Sequence, residues 1–442
     1  MRPSTRLLSL CLIASSGLGT GQPLAAATLL HAGRVLDVDT GRMLSDQTIV
    51  VDGERIVRVE PGHRDPATGD QVIDLRGHTA LPGLMDMHTH LTEEYSPTDE
   101  LDRFKRNAAD VALQSAVFAE RTLLAGFTTV RDLGDRFNAS IALRNAIDRG
   151  LLPGPRIYTS GTSIATTGGH ADPTNGWAEH LTPQRGLLDG VADGPYAAAA
   201  AVRQRYKDGA DLIKITATGG VLSVARDGRR PQFTSEEIAA IVATARDYGF
   251  TVAAHAHGTE GIKRAVRAGV DTIEHGTFMD DEAMALMKEH GTWYVPTITA
   301  GRWVADKAAL PSYLPELVRP KAAAIGPQIQ QTFARAHRAG VRILFGTDTG
   351  VSAHGENAVE FVFMVEAGMA PVDALRAATI LPATFLGVAD QLGSLEPGKL
   401  ADIVATPGNP LDDIEAMQRI DFVMKSGVVY RRPSTALALQ GP

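Results

Sequence analysis

Eight short strand signals separated by helical stretches occupy the middle of this 442-residue chain. They fall at 79–88, 128–132, 156–161, 212–216, 251–255, 272–275, 293–297 and 342–347. Helical stretches fill the gaps, at 110–125, 235–248 and 321–339 among others. Strands alternating with helices build a parallel sheet, because parallel neighbours need a crossover between them. Eight such units make an α/β chain of the (β/α)8 TIM barrel kind, which takes about 250 residues. The chain is longer than that, so the pattern predicts one barrel, over 79–390, plus a smaller companion.

Both chain ends have a different texture. Residues 28–74 hold three β-rich pieces, 29–36, 47–53 and 56–59, separated by turns, and similar pieces return at 393–405 and 422–430. We expect a small β-sandwich assembled from 28–78 and 391–432. Residues 1–27 read as a secretory signal peptide: Arg2 and Arg6, then the apolar run 7–13, then Ala25-Ala26-Ala27 as a cleavage site. That run is too short to span a bilayer, so the expected product is an exported protein, periplasmic or secreted, with no membrane segment. A lipoprotein leader is the rival, but Cys11 lies inside the apolar run, too early for lipidation. Cys11 is the only cysteine, so the mature chain has no disulfide and no thiol nucleophile or ligand. A formal charge of −8 gives no basic surface for nucleic acid.

Six metal-capable residues lie at or just past the ends of these strands: His88 and His90 in Asp86-Met-His-Thr-His, then Lys214, His255, His275 and Asp348. A lone histidine is usually a core or surface residue, but barrel active sites form at carboxyl strand ends, and these residues recur there. Alternation puts Ile213 and Ile215 on one face and Lys214 on the other, into the barrel mouth. A buried ammonium needs a partner or a changed chemistry. The first would be a salt bridge; the second is carboxylation by CO₂, which gives a carbamate able to bridge two cations. His255 and His257 share a strand face, and alternation does not choose between them as ligands. Imidazole and carboxylate without thiolate suit zinc, with manganese, cobalt or nickel as options. Two divalent ions about 3.5 to 4 Å apart acidify water and polarise a carbonyl, so no Ser or Cys nucleophile is required.

These motifs resemble the amidohydrolase superfamily, with Asp86-Met-His88-Thr-His90 on the first strand, Lys214 on the fourth, His255 and His275 on the next two, and Asp348 after the eighth. More narrowly, Gly126-Phe-Thr-Thr-Val-Arg-Asp132, Gly168-Gly-His170, Lys214-Ile-Thr-Ala-Thr-Gly-Gly220, Ala254-His255-Ala-His257-Gly and Ile273-Glu-His275-Gly resemble its secreted peptidase-like branch. That branch includes ochratoxinases, Xaa-Pro dipeptidases and arginine or lysine carboxypeptidases. The resemblance runs from about Thr28 to Tyr430. It implies two divalent metal ions, the first on His88 and His90, the second on His255 and His275, bridged by carboxylated Lys214. It implies that Asp348 contacts the first ion and acts catalytically as the proton carrier. It also implies a homo-oligomer.

The activity so implied is hydrolysis of a small-molecule amide or dipeptide, releasing the C-terminal amino acid of an N-acyl amino acid such as ochratoxin A. Xaa-Pro dipeptides or peptides ending in arginine or lysine are the alternative. Imidazolonepropionase-like ring opening or deamination fits less well, because those relatives generally lack a bridging strand-four lysine. A catalytically silent barrel fits poorly, since no expected ligand is missing. His170, His257 and His354 are expected on the substrate side, and an arginine in the 226–230 loop could clamp a substrate carboxylate. His31, His63, His78, His180, His290 and His337 are expected to be structural or exposed.

Overall fold

The computed structural model describes residues 26–182, 186–223 and 227–433. The expected signal peptide lies outside the described residues except for Ala26 and Ala27. Four strands open the chain: β1 (Thr28–Asp37), β2 (Arg42–Asp52), β3 (Arg55–Pro61) and β4 (Gln71–Pro82). Seven shorter strands follow: β5 (Leu84–Thr89), β6 (Phe127–Asp132), β7 (Arg156–Thr159), β8 (Ile213–Thr216), β9 (Val252–Ala256), β10 (Thr272–His275) and β11 (Trp293–Val295). The chain closes with β12 (Ile403–Pro407), β13 (Phe422–Lys425) and β14 (Val428–Arg431).

The two ends interlock as one seven-stranded sheet in the order β14-β13-β12-β4-β1-β2-β3. Its pairs are antiparallel except β1 with β4, which run parallel. It has its own apolar core, including Leu30, Ile49, Ile73, Ile403 and Phe422.

The middle of the chain forms two parallel sheets, β5-β6-β7 and β11-β10-β9-β8. Their strands are short and buried along their length, as expected of strands covered on both faces. Ile164 joins the two sheets at one seam, donating to Lys214 O at 2.8 Å and accepting from Thr216 N–H at 3.2 Å. The helices lie between strands as expected, with Ala108–Leu124, Ser235–Asp247 and Arg319–Arg338 matching the three long stretches. The cap of Ser235–Asp247 is Thr234: Thr234 Oγ1 accepts Glu237 N–H at 3.3 Å, and Glu237 accepts Thr234 N–H at 2.8 Å. A reciprocal cap of this kind is worth about 1 kcal/mol.

Two expected strands differ from the structure. The stretch 79–88 is two strands, because the chain crosses between sheets at Gly83, whose N–H bonds to Asp402 O at 2.8 Å. A Cβ there would sit 2.2 Å from Thr128 Oγ1, so the crossing requires glycine. The stretch 342–347 is not a regular strand. It does run between β11 and β5, with Leu344 N–H on Tyr294 O and Met87 N–H on Phe345 O, both at 2.9 Å. The ladder is interrupted at Thr347, where the Asp86 carboxylate takes the N–H at 3.1 Å and the hydroxyl at 2.6 Å, and it resumes with Asp348 N–H on His88 O at 2.7 Å.

Candidate metal centre

The parallel strands deliver their ends to one place. His88 lies near the end of β5 with His90 just beyond it, Lys214 lies on β8, His255 on β9 and His275 on β10, and Asp348 follows the 342–347 segment. Asp348 Oδ1 is 3.3 Å from Nε2 of both His88 and His90. The His275 ring centroid is 5.0 Å from that of His88 and 4.7 Å from that of His255. Two groups of donors result, His88 with His90 and Asp348, and His255 with His257 and His275; within each, the donor atoms lie within 4.8 Å of one another. His275 and Asp348 adopt left-handed backbone, φ +69° and +60°. Such conformations cost about 1 to 3 kcal/mol each in non-glycine residues and persist where surrounding structure enforces them.

The donor set fits divalent cations. Each expected imidazole ligand has one ring nitrogen engaged: His88 Nδ1 with Glu274 Oε2 at 2.8 Å, His90 Nδ1 with Gly134 O at 2.9 Å, His275 Nδ1 with Thr297 Oγ1 at 2.7 Å, and His255 Nε2 with Gly219 O at 3.2 Å. The opposite nitrogens are left as donors. His88 Nε2 is buried without a hydrogen-bond partner, which is costly in a protein interior unless something else satisfies it.

Electrostatics supports the same arrangement. Burial holds His255 and His275 well below the usual imidazole range, so they are neutral with lone pairs available. Burial pushes the Lys214 ammonium down to about 8, against the opposing pull of Glu274 and Asp348, leaving a larger share as free amine. Burial would raise Asp348, but His88 and His90 outweigh it and keep the carboxylate ionised. Burial would also lower His90, yet the Asp348 carboxylate lifts it to about 9. His90 therefore holds a proton at neutral pH in metal-stripped protein, and a cation must displace it. Zinc affinity is expected to rise roughly tenfold per pH unit up to about 9 and then level off. Titration calorimetry in two buffers of different ionisation enthalpy measures the proton released, and uptake without proton release would refute this.

Of the residues expected on the substrate side, His170 and His257 join the cluster. The His170 ring stacks on His255 at 4.4 Å, and its Nδ1 is buried with no partner. A Cβ on Gly220 would fall 2.1 Å from His170 Cε1, so glycine lets this loop close over the ring. His257 packs 4.9 Å from His275 and bonds Thr277 Oγ1 through Nδ1 at 2.8 Å. Burial lowers His170 to about 3 and His257 to about 4, so both are neutral. His354 instead bonds Glu93 O through Nε2 at 2.9 Å and stacks on Phe118 at 4.6 Å. Arg226 lies outside the described residues, while Arg229 and Arg230 are exposed and paired with Asp227. Among the remaining histidines, His31 stacks on His63, His78 bonds Asp421, and His180, His290 and His337 lie on the helical periphery.

Sequence reasoning missed Arg131 and Glu274. Both are fully buried, and they form an ion pair of 2.8 Å that reaches His88. Burial would raise the Glu274 carboxyl, but Arg131 and His88 hold it down at about 2. The available signal was a charged residue within a short apolar strand, the same signal that singled out Lys214.

An α/β chain whose parallel strand ends gather histidines, a buried lysine and an aspartate has the candidate metal positions of a hydrolase. The chain belongs to the amidohydrolase family, whose profile matches residues 79–430. It is 33% identical over 374 residues to ochratoxinase of Aspergillus niger, covering 80% of this chain and 76% of that protein. A crystal structure of a Xaa-Pro dipeptidase with methionine in its active site is 52% identical, with TM-score 0.89 over 92% of this chain and 100% of the other. A prolidase complexed with N-methylphosphonate-L-proline is 33% identical, with TM-score 0.83 over 92% and 100%.

Proposed function

We propose that this protein is a binuclear metal-dependent amidohydrolase that releases the C-terminal amino acid from dipeptides and N-acyl amino acids. The observation that carries it is the pair of donor groups meeting at one set of strand ends with Lys214 buried among them. His88, His90 and Asp348 would hold one cation, His255 and His275 the other, and Lys214 as its carbamate would bridge them. The bound ions, zinc in this reading, supply Lewis acidity toward the scissile carbonyl and acidify the attacking water. Asp348 takes the water's proton on its carboxylate and returns it to the leaving nitrogen. His170 and His257, both neutral, orient the substrate through hydrogen bonds.

Tyr95, Phe278, Trp303, Tyr313 and Val351 are partly buried against one apolar cluster that includes Val304 and Leu314, and we take this cluster as the rim of the site. Three are tied to the centre through the backbone, with Phe278 N–H on His257 O at 2.9 Å, Val351 N–H on Asp348 O at 3.0 Å and Tyr95 N–H on Gly350 O at 2.6 Å. This rim favours a substrate with an apolar or aromatic side chain. The 52% likeness to a Xaa-Pro dipeptidase puts Xaa-Pro dipeptides first, and the ochratoxinase likeness keeps N-acyl-phenylalanines, ochratoxin A among them, as the second class. The same reading joins the two parallel sheets and segment 342–347 into one eight-stranded barrel over 79–390, beside a β-sandwich of 28–78 and 391–432. It also includes export after cleavage at Ala27 and assembly of identical chains.

Mass-spectrometric product analysis tests the activity. Zinc-replete protein is incubated with Xaa-Pro dipeptides, N-acyl-phenylalanines including ochratoxin A, and peptides ending in arginine or lysine. Chelation is expected to remove at least about 1,000-fold of the rate, with recovery on adding zinc. Chelator-insensitive turnover, or none on any amide, would overturn the reading.

A further inference from the structure

We infer that Glu274, clamped by Arg131, is a positioning residue that makes the His88–His90–Asp348 position the tighter of two unequal metal positions. This rests on the proposed role of His88 as a ligand.

The two side chains cross the interior between strands distant in the chain. Arg131 on β6 donates to Met87 O at 2.7 Å, to Thr272 Oγ1 at 3.2 Å and to Glu274 Oε1 at 2.8 Å. The Thr272 hydroxyl donates to the same carboxylate oxygen. Glu274 Oε2 remains for His88 Nδ1, at 2.8 Å. An ionised carboxylate only accepts hydrogen bonds, so a ring proton sits on Nδ1, and Nε2, 3.3 Å from Asp348 Oδ1, is the nitrogen a cation would take. A carboxylate behind an imidazole also makes its far nitrogen a stronger donor to a cation.

The other ligand rings lean on neutral acceptors: Gly134 O behind His90, the Thr297 hydroxyl behind His275 and Gly219 O behind His255. One position thus contains a carboxylate-backed ring and its own carboxylate, Asp348, while the other contains neither. The arginine cancels the buried charge of Glu274, so the clamp stays formed whether or not a cation is present. A purely structural ion pair would leave both carboxylate oxygens to Arg131 and Thr272; here one is reserved for the ligand.

Two measurements test this. Crystals of wild-type protein loaded with one zinc per chain are examined by anomalous diffraction, and the signal is expected between His88, His90 and Asp348. A signal at His255 and His275, or an equal split, would overturn the inference. Zinc at neither place would sink the metal reading itself. Stepwise zinc affinities are then measured by chelator competition for wild type and Glu274→Gln, with melting temperature of the metal-stripped proteins as the structural control. The glutamine amide has one accepting oxygen, so it can accept from Arg131 or from His88 Nδ1–H but not from both. The tight step is expected to weaken 10- to 100-fold and the second by less than about 3-fold. Equal weakening of both steps with a lower melting temperature would reduce Glu274 to a structural role, and unchanged affinities would remove it from the site.

Discussion

Lys214→Ala is expected to lose the cation pair and about 10,000-fold of kcat/KM, roughly 5 kcal/mol of transition-state stabilisation. The lysine lies 4% exposed between Ile213 and Ile215, and burial already disfavours its ammonium. Alanine at this site leaves the strand ladder intact, because the β8 bonds to β9 are made by backbone. Metal analysis after zinc loading should show well under two ions per chain, and short carboxylic acids should restore part of the rate by occupying the bridging position. A variant with full activity and full metal would exclude Lys214 from the centre.

Asp348→Asn separates holding a cation from moving a proton. Asparagine tolerates left-handed backbone, so φ +60° at this position imposes no new strain. Its amide oxygen can still contact a cation, but it cannot take up and return a proton at neutral pH. We expect kcat to fall about 1,000-fold with KM within a few-fold and metal content near that of the parent, the range typical of a lost general acid–base. Steady-state kinetics alongside metal analysis decides it: unchanged kcat would end the proton role, and lost metal would make Asp348 a ligand first.

Much of this site was legible in the sequence because its signals are local. Lys214 stands out between two isoleucines, and the histidines fall at the ends of β-rich runs, so alternation and strand order bring them to one mouth, while the choice of His255 over His257 and the division into two metal positions came from the family resemblance. The Arg131–Glu274 pair was not legible, since its partners are 143 residues apart and nothing in either strand names the other. The apolar content of 342–347 predicts a regular strand, but the ladder there is interrupted by a side chain, Asp86, from the neighbouring strand β5, far away in the chain. His354 was placed on the substrate side by nearness in sequence to Asp348, whereas the turn after Gly350 carries its ring to Phe118. In each case the missing information was a tertiary hydrogen bond or ring contact, which has no periodicity to detect.

The crossing at Gly83 fixes the length of the chain where it matters most. β4 ends in the seven-stranded sheet and β5 begins the sheet that carries His88, with one residue between them. Along β5, His88 reaches Glu274 and Asp348, while Met85 and Met87 pack into separate apolar clusters. Adding or removing a single residue at this junction would shift the whole of β5 by one position and carry His88 away from Glu274 and Asp348. Surface loops of such an enzyme are free to grow and shrink as it acquires new substrates; this seam is a ruler that evolution has to leave uncut.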